Sequence, residues 1–118
     1  MKDFKKLMIW QLGIDIVDNV YELVDALPTQ EKFGLQSQLT RSAVSIPANI
    51  AEGSSKRSER DYVRFLEMAF GSAFELETHA LIVKRRRWTT DMIIEELLEL
   101  VRREQQMLSK FIDKLNKQ

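Results

Sequence analysis

Residues 31–53 read EKFGLQSQLTRSAVSIPANIAEG, and this stretch decides the fold. Its apolar residues recur at steps of three or four, the spacing of one face of an α-helix; they are Leu35, Leu39, Ala43, Ile46 and Ile50. Serines and alanines fill the positions between them, so neighbouring backbones can approach closely. Pro47 removes one helical N–H and crowds the carbonyl of Ala43. The stretch predicts a helix over about 32–53, kinked at Pro47.

Two details of this segment call for a choice. Residues 43–46 resemble a short strand, but a lone strand would have no partner elsewhere in the chain, and the helical spacing continues from Ile46 to Ile50. Gly53 follows the last apolar step and suits the residue just past a helix, where a left-handed conformation is common. The sequence therefore predicts a helix that closes at Gly53.

The segment before this stretch predicts a helix over about 5–27, because Pro28 disfavours further helix at the residue before it. It carries two apolar seams, so we expect it to be heavily covered. The first seam steps three and four residues apart; its members are Leu7, Trp10, Ile14, Val17, Tyr21 and Val24. The second consists of Ile9, Ile16, Val20, Leu23 and Leu27.

Two more helices follow, over about 59–86 and 90–115. Ser58 with Asp61 approximates a capping box at the start of the third. Its seam is rich in alanine and comprises Tyr62, Leu66, Ala69, Ala73, Leu76, Ala80 and Val83. A second apolar surface on it is formed by Phe65, Phe70, Phe74 and Leu81. On the fourth helix, Glu104 takes a seam position where an apolar residue is expected. The apolar residues of this seam are Ile94, Leu97, Val101, Leu108, Phe111 and Leu115.

These four segments predict an all-α fold, an up-down-up-down antiparallel four-helix bundle forming a single domain over 1–118. Hydrophobic residues make up 44% of the chain and charged residues 31%, as in ordinary globular proteins. The formal net charge is zero, so any binding to nucleic acid or to an anionic membrane must come from local patches. The chain has no cysteine, which excludes a disulfide framework, a thiolate metal site and a cysteine nucleophile. No signal peptide or membrane span is predicted, and we expect a cytoplasmic protein without membrane contact.

Three stretches taken together resemble one family: the segment 31–53, then S-x-R-x-Y-x-R-F-L-x-M-A-F-G-S over 58–72, then FELETHAL from Phe74. This is the "four helix bundle protein" family, whose members are encoded in intervening sequences of bacterial 23S rRNA genes and are known as S23 proteins. The resemblance covers about residues 5–112. The family is related to the accessory variability protein of diversity-generating retroelements, a pentameric barrel of four-helix subunits that binds a reverse transcriptase and nucleic acid.

The resemblance implies a homo-oligomeric bundle, a pentamer, with a link to nucleic acid. It implies no enzymatic activity, because none is established for the family. The chain departs from its relatives after the third helix. Where they usually carry a Leu-Gly-Tyr turn, this chain has the strongly basic run Lys84–Trp88.

Metal and catalytic sites find little support in the residues. A di-iron carboxylate bundle needs Glu-x-x-His motifs on two helices, whereas this chain has one histidine, His79, four residues after Glu75. Glu75 and Glu77 point to different sides of the third helix and do not converge for acid–base chemistry. Each is expected to have a structural role, such as a buried pair with Arg41 or Arg64. We predict no catalytic residue, no metal, no cofactor and no small-molecule substrate.

Two basic clusters are the candidate nucleic-acid-binding residues, because several cations on one surface can displace counterions from phosphates. The first cluster is Lys56, Arg57, Arg60 and Arg64, and the second is Lys84, Arg85, Arg86 and Arg87. The alternative is that both are solvated faces carrying weak ion pairs. Trp88 beside the second cluster could stack on a base or fix the loop to the bundle.

A third set is assigned to structural or oligomer contacts: Arg41, Pro47, Asn49, Glu52, Gly53, Glu75 and Glu77. Asn49 and Glu52 are candidates for hydrogen bonds across a subunit boundary. The leading hypothesis is a non-enzymatic homopentamer that presents basic patches to rRNA, to another structured RNA or to an RNA-bound partner. The alternative is a protein-interaction scaffold without nucleic-acid contact, and a metal-dependent bundle enzyme comes third.

Overall fold

The computed structural model describes residues 3–31 and 33–117. Within them lie four α-helices: α1 (Met8–Asp25), α2 (Leu35–Ser54), α3 (Glu59–Arg86) and α4 (Asp91–Asn116). Short 3₁₀ turns, Phe4–Lys6 and Thr29–Glu31, precede α1 and α2. Residue 32, the predicted start of the second helix, lies outside the described residues. The described part of the chain contains no strand, so residues 43–46 are helical.

The four helices are arranged in sequence order around one core. Each packs against its neighbours along the chain, and α4 closes the bundle against α1, while no Cα atoms of the diagonal pairs lie within 8 Å of each other among the described residues. The described part measures 45 × 22 × 20 Å. The predicted all-α four-helix bundle is thereby confirmed. Among the described helices, none combines the length and the apolar character needed to span a membrane.

The start of α1 differs from the prediction. Residues 4–6 form a separate 3₁₀ turn, where the Asp3 carboxylate accepts a hydrogen bond from the Lys5 N–H, and Leu7 is extended. The core face of α1 is the second predicted seam, since Ile9, Ile16 and Val20 are buried. The first seam is only half-buried, and Tyr21 is 52% exposed. The neighbouring helices α2 and α4 therefore bury the second seam fully and the first seam only partly.

The seam of α3 is confirmed at each position, from Tyr62 to Val83. Its three alanines allow the neighbouring helices to approach closely. Of the second surface of α3, Phe65 is buried beside α2, whereas Phe74 and Leu81 are 48% and 41% exposed. This surface therefore lies partly outside the core.

The prediction that Gly53 closes α2 in a left-handed conformation is wrong. Gly53 is helical, no described glycine has a positive φ, and α2 continues to Ser54. Glycine is needed there because α3 lies very close. A Cβ on Gly53 would lie 2.8 Å from Phe65 Cβ and 3.1 Å from Tyr62 Cδ1. The small residue serves a helix crossing, and not a helix end.

α2 continues through Pro47, which is buried. The polar side chains around it turn back to their own helix. Ser42 Oγ donates to the Gln38 carbonyl, Ser45 Oγ to the Ser42 carbonyl and Asn49 Nδ2 to the Ser45 carbonyl, each at 2.8 Å. These bonds satisfy side-chain donors locally, so α2 remains thin and can pack closely on both neighbours.

Candidate functional site

The first basic cluster lies at the start of α3 and in the loop before it. Ser58 caps α3 by accepting a hydrogen bond from the Asp61 N–H at 3.1 Å. Lys56 Nζ lies 4.9 Å and the Arg64 guanidinium 5.2 Å from the ring centroid of Phe65. These cation–π contacts position two cations and leave their charge available. Within the described chain, Arg57 and Arg60 are exposed and form no ion pair.

The bundle brings further cations to this cluster. The start of α1 and the end of α4 lie at the same end of the bundle as the start of α3. Residues 3–6, 52–67 and 110–117 together, named here the basic end, carry nine lysines and arginines against six carboxylates. The lysines at the same end of the bundle as the first cluster are Lys5, Lys6, Lys110, Lys114 and Lys117. Sequence reasoning missed them because they are distant in the chain and come to the same end only through the helix order.

The second basic cluster lies at the opposite end, which is acidic. Residues 22–31, 33–41 and 77–99 carry eight carboxylates against five cations. Lys84 forms an ion pair with Glu95 of α4, and Asp91 lines the same groove as Arg85 and Arg87. The carboxylates at the start of α4 therefore offset the field of the second cluster. The two clusters, which look alike in the sequence, differ in their surroundings.

Arg87 ends α3 in the left-handed conformation, with φ 57° and ψ 42°. Its N–H and that of Trp88 donate to the Lys84 and Val83 carbonyls, which closes the helix in the manner usually provided by glycine. Trp88 is half-buried and packs against the core. Of the two predicted roles for Trp88, this packing favours fixing the loop to the bundle.

Replacing Arg87 by glycine is expected to stabilise the fold. A side chain other than that of glycine costs about 1–2 kcal/mol in the left-handed region, so Arg87→Gly should raise the free energy of unfolding by about 1 kcal/mol. Arg86→Gly, inside α3, is the matched control and should lower it by about 1 kcal/mol. Urea denaturation at neutral pH measures both, and an Arg87→Gly protein that unfolds at lower urea than the wild type would contradict this reading.

Glu77 is held by α4, and not by the predicted arginines. Its carboxylate accepts from Arg102 Nε at 3.1 Å and from Gln105 Nε2 at 2.8 Å. The predicted buried pair with Arg41 or Arg64 is wrong because those side chains are exposed, and Arg64 lies 3.8 Å from Asp61 of its own helix. The Glu77 contacts connect α3 to α4, which is a structural role.

Glu75 and His79 share a face of α3 but form no metal site. His79 Nε2 lies 3.6 Å from Glu75 Oε2, an ion pair only when the histidine is protonated. The Glu75 side chain is 53% exposed, so its predicted burial is also wrong. Over residues 3–31 and 33–117, no three His, Asp or Glu side chains come together to hold a metal ion.

The small residues of α2 form the floor of a shallow groove on the outer surface. It encloses about 590 Å³ and runs between Tyr21 of α1 and Ser72 and Glu75 of α3, over Val44 and Ser45. Arg41 lines it as well, and Val44 is 42% exposed although it is apolar. Glu52 is exposed on the same helix, nearer the basic end.

Glu104 is a buried carboxyl group in the core. Its relative exposure is 0%, and neither carboxyl oxygen has a hydrogen-bond partner among the described residues. A Cβ placed on Gly13 would lie 3.1 Å from Glu104 Oε2 and 3.4 Å from Pro47 Cδ, so glycine and proline leave the space that the carboxyl group occupies. Burial raises the pKa of Glu104 to about 8, so the group is mostly neutral at pH 7. The seam of the fourth helix predicts that Glu104 lies in the core, but the groups that surround the carboxyl group depend on α1 and α2.

Comparison with known proteins identifies the family. The family model described as 23S rRNA-intervening sequence protein matches residues 5–110. A crystal structure of a protein with unknown function from the S23 ribosomal protein family of Bacteroides thetaiotaomicron superposes with a TM-score of 0.83 at 24% identity. The match covers 89% of this chain and 98% of that chain, and it shows the shared fold. No curated protein matches. The chain belongs to the 23S rRNA-intervening sequence protein family.

Proposed function

We propose that this member of the 23S rRNA-intervening sequence protein family is a non-enzymatic, cytoplasmic homo-oligomer that binds structured RNA. The protein contributes charge and shape, and no chemical step. RNA helices are recognised mainly through phosphates and overall shape, which suits a rigid bundle with cations fixed at one end.

The observation that carries this proposal is the basic end. A chain of zero net charge still presents an excess of cations there, because the helix order separates its charges. Arg57 and Arg60 are exposed, and Lys56 and Arg64 are positioned over Phe65. Repetition of this end in a ring of five subunits would multiply the local field that attracts phosphates.

Filter binding of a structured RNA tests the proposal on the wild-type protein. Each phosphate neutralised by a cation releases counterions, so the logarithm of the binding constant should fall linearly with the logarithm of salt concentration. We expect retention at 50 mM salt and a loss of at least tenfold in affinity at 200 mM. The protein concentration is raised to 100 times the dissociation constant that is expected for non-specific binding at low salt. If no salt-dependent retention is seen at any concentration up to that value, the RNA function is excluded.

The groove over α2 supports self-association in the same proposal. A half-exposed apolar residue, Val44, lies in a concave surface of serines, and Met68, on the neighbouring face of α3, is 49% exposed. Such a surface allows a helix of another subunit to approach closely. The contact is proposed to build the pentamer.

Val44→Glu is expected to break this contact without unfolding the subunit, since Val44 already faces solvent in the isolated chain. Light scattering should give the wild type a mass of at least five chains and the variant a smaller one. Gln38→Glu, an exposed change earlier on α2 that adds the same charge outside the groove, is the control and should keep the wild-type mass. A wild-type protein of 13.8 kDa at micromolar concentration would contradict the oligomer.

A scaffold that binds only protein is the second candidate. The zero net charge and the groove over α2 with its exposed Val44 favour it, because neither feature serves RNA binding. Light scattering and filter binding together separate the two functions. A scaffold would have an oligomeric mass that only Val44→Glu reduces, and it would fail to retain RNA at low salt.

A further inference from the structure

α4 has a second face beside its core seam, on the side where α4 meets α1; Leu100 and Met107 of this face pack against the edge of the core, and its charged residues are exposed. This face steps three and four residues along the helix, the spacing of a seam between two packed helices. Its members are Ile93, Glu96, Leu100, Met107, Lys110 and Lys114, with Arg103 at the step between Leu100 and Met107. Ile93 is 40% exposed, and Leu100 and Met107 are half-buried. We name it the outer face of α4.

Charge is segregated along this face. The first turns of α4 carry Glu96 and Glu99, and the last turns carry Lys110 and Lys114. Glu99 already pairs with Arg103 at 3.4 Å. Glu96, Lys110 and Lys114 form no ion pair within the described chain. The outer face thus has an acidic half and a basic half, each with charges left over.

Apolar surface accompanies both halves. Beside the two lysines, an open groove of about 470 Å³ separates the start of α1 from the end of α4; Leu7, Met8, Met107 and Phe111 line it. Met8 is 71% exposed. At the acidic half, Met92 is 80% exposed next to Ile93. Methionine side chains adapt readily to a partner surface, so each half offers apolar contact together with charge.

We propose that α4 pairs antiparallel with α4 of a second copy of this chain about a two-fold axis. In this arrangement Glu96 lies opposite Lys110 and Lys114 of the partner subunit, and Met92 approaches the groove beside the partner's Met107. The same contact occurs twice, because a two-fold interface is self-complementary. A parallel pairing would instead place Glu96 against the partner's Glu96.

The spacing fits this geometry. Glu96 and Lys110 are 14 positions apart, about 21 Å along the helix, so both contacts form together on one straight face. Arg103, held by its own Glu99, lies close to the axis between them. The pairing goes beyond the proposed function because it uses neither the groove over α2 nor the arginines of the first basic cluster, although it shares Lys110 and Lys114 with the basic end. It would join two rings, or two subunits where no ring forms.

A charge exchange tests the pairing, with Val44→Glu present throughout so that the α2 contact does not contribute. Equilibrium sedimentation at 50 mM salt should give the Val44→Glu protein twice the 13.8 kDa of one chain. Adding Glu96→Lys should give a monomer, because lysines then oppose lysines. Adding Lys110→Glu with Lys114→Glu should also give a monomer. An equimolar mixture of the two variants should restore the dimer, since each then meets its opposite charge.

Charge reversals away from the face provide the control. Glu67→Lys on α3 changes the net charge as much as Glu96→Lys, and Arg57→Glu with Arg60→Glu changes it as much as the double lysine variant; both controls should leave the dimer intact. Circular dichroism confirms that each variant is folded. A monomeric Val44→Glu protein, charge-reversed variants that remain dimeric, or a mixture that stays monomeric would each overturn the pairing. None of these outcomes depends on RNA, so filter binding judges the proposed function independently.

Discussion

Gly53→Ala is expected to lower the free energy of unfolding by about 2 kcal/mol, although the same change inside an exposed helix usually stabilises it. The added Cβ would lie 2.8 Å from Phe65 Cβ and 3.3 Å from the Tyr62 carbonyl oxygen. Neither neighbour is the flexible end of a side chain, so α2 and α3 must move apart. Chemical denaturation at pH 7 measures the loss.

Gly71→Ala is the matched control. Gly71 lies in the middle of α3, is exposed, and an added Cβ would meet nothing within 4 Å. Alanine should therefore raise the free energy of unfolding by about 1 kcal/mol through helix propensity alone. The two substitutions are chemically identical and should have opposite signs. Equal stabilisation by both would contradict the close crossing of α2 and α3.

Glu104→Gln is expected to remove most of the pH dependence of stability between about pH 5 and pH 8. The folded-state pKa of about 8 lies above the unfolded value of 4.5. In this window the folded protein keeps a proton that the unfolded chain has lost, so the wild type loses about 1.4 kcal/mol per pH unit as pH rises. Below the window the contribution is fully present, and above pH 8 it is gone.

Urea denaturation at pH 5.5, 7 and 8.5 measures this difference between variant and wild type. Glu104→Met should be more stable than the wild type by a few kcal/mol at pH 8.5, since no charge then has to be buried. Asp113→Asn, an exposed change on the same helix at a residue without an ion pair in the described chain, is the control and should follow the wild-type curve. Parallel curves for Glu104→Gln and the wild type would show that the carboxyl group is not buried.

The fold follows from periodicity to a large extent. The seam of α3 and the position of Glu104 could be predicted because a helix buries the same steps of three and four residues regardless of its partners. The choice between the two seams of α1 could not, since it depends on where α2 and α4 lie. The prediction that Gly53 ends α2 is wrong for a related reason. Its role is set by Phe65 and Tyr62 on another helix, while the sequence shows only that glycine often ends a helix.

The candidate site was predictable only in part. The two basic clusters are visible in the chain, but their surroundings are not. Lys110 and Lys114 lie at the same end of the bundle as the first cluster because α4 ends where α3 begins. Glu95 pairs with Lys84 because α4 begins where α3 ends. Charge runs that look equivalent in sequence therefore differ once antiparallel neighbours are added. Because of this difference, the RNA proposal assigns binding to the basic end and not to the second cluster.

The central claim is that the basic end, and not the second cluster, meets RNA, and paired substitutions measure it directly. Arg57→Gln with Arg60→Gln and, separately, Arg85→Gln with Arg86→Gln each remove two exposed cations. We expect the first pair to reduce the slope of log affinity against log salt by about 2, and the second by less than 1. Equal effects of the two pairs, or a larger effect of the second, would contradict the account.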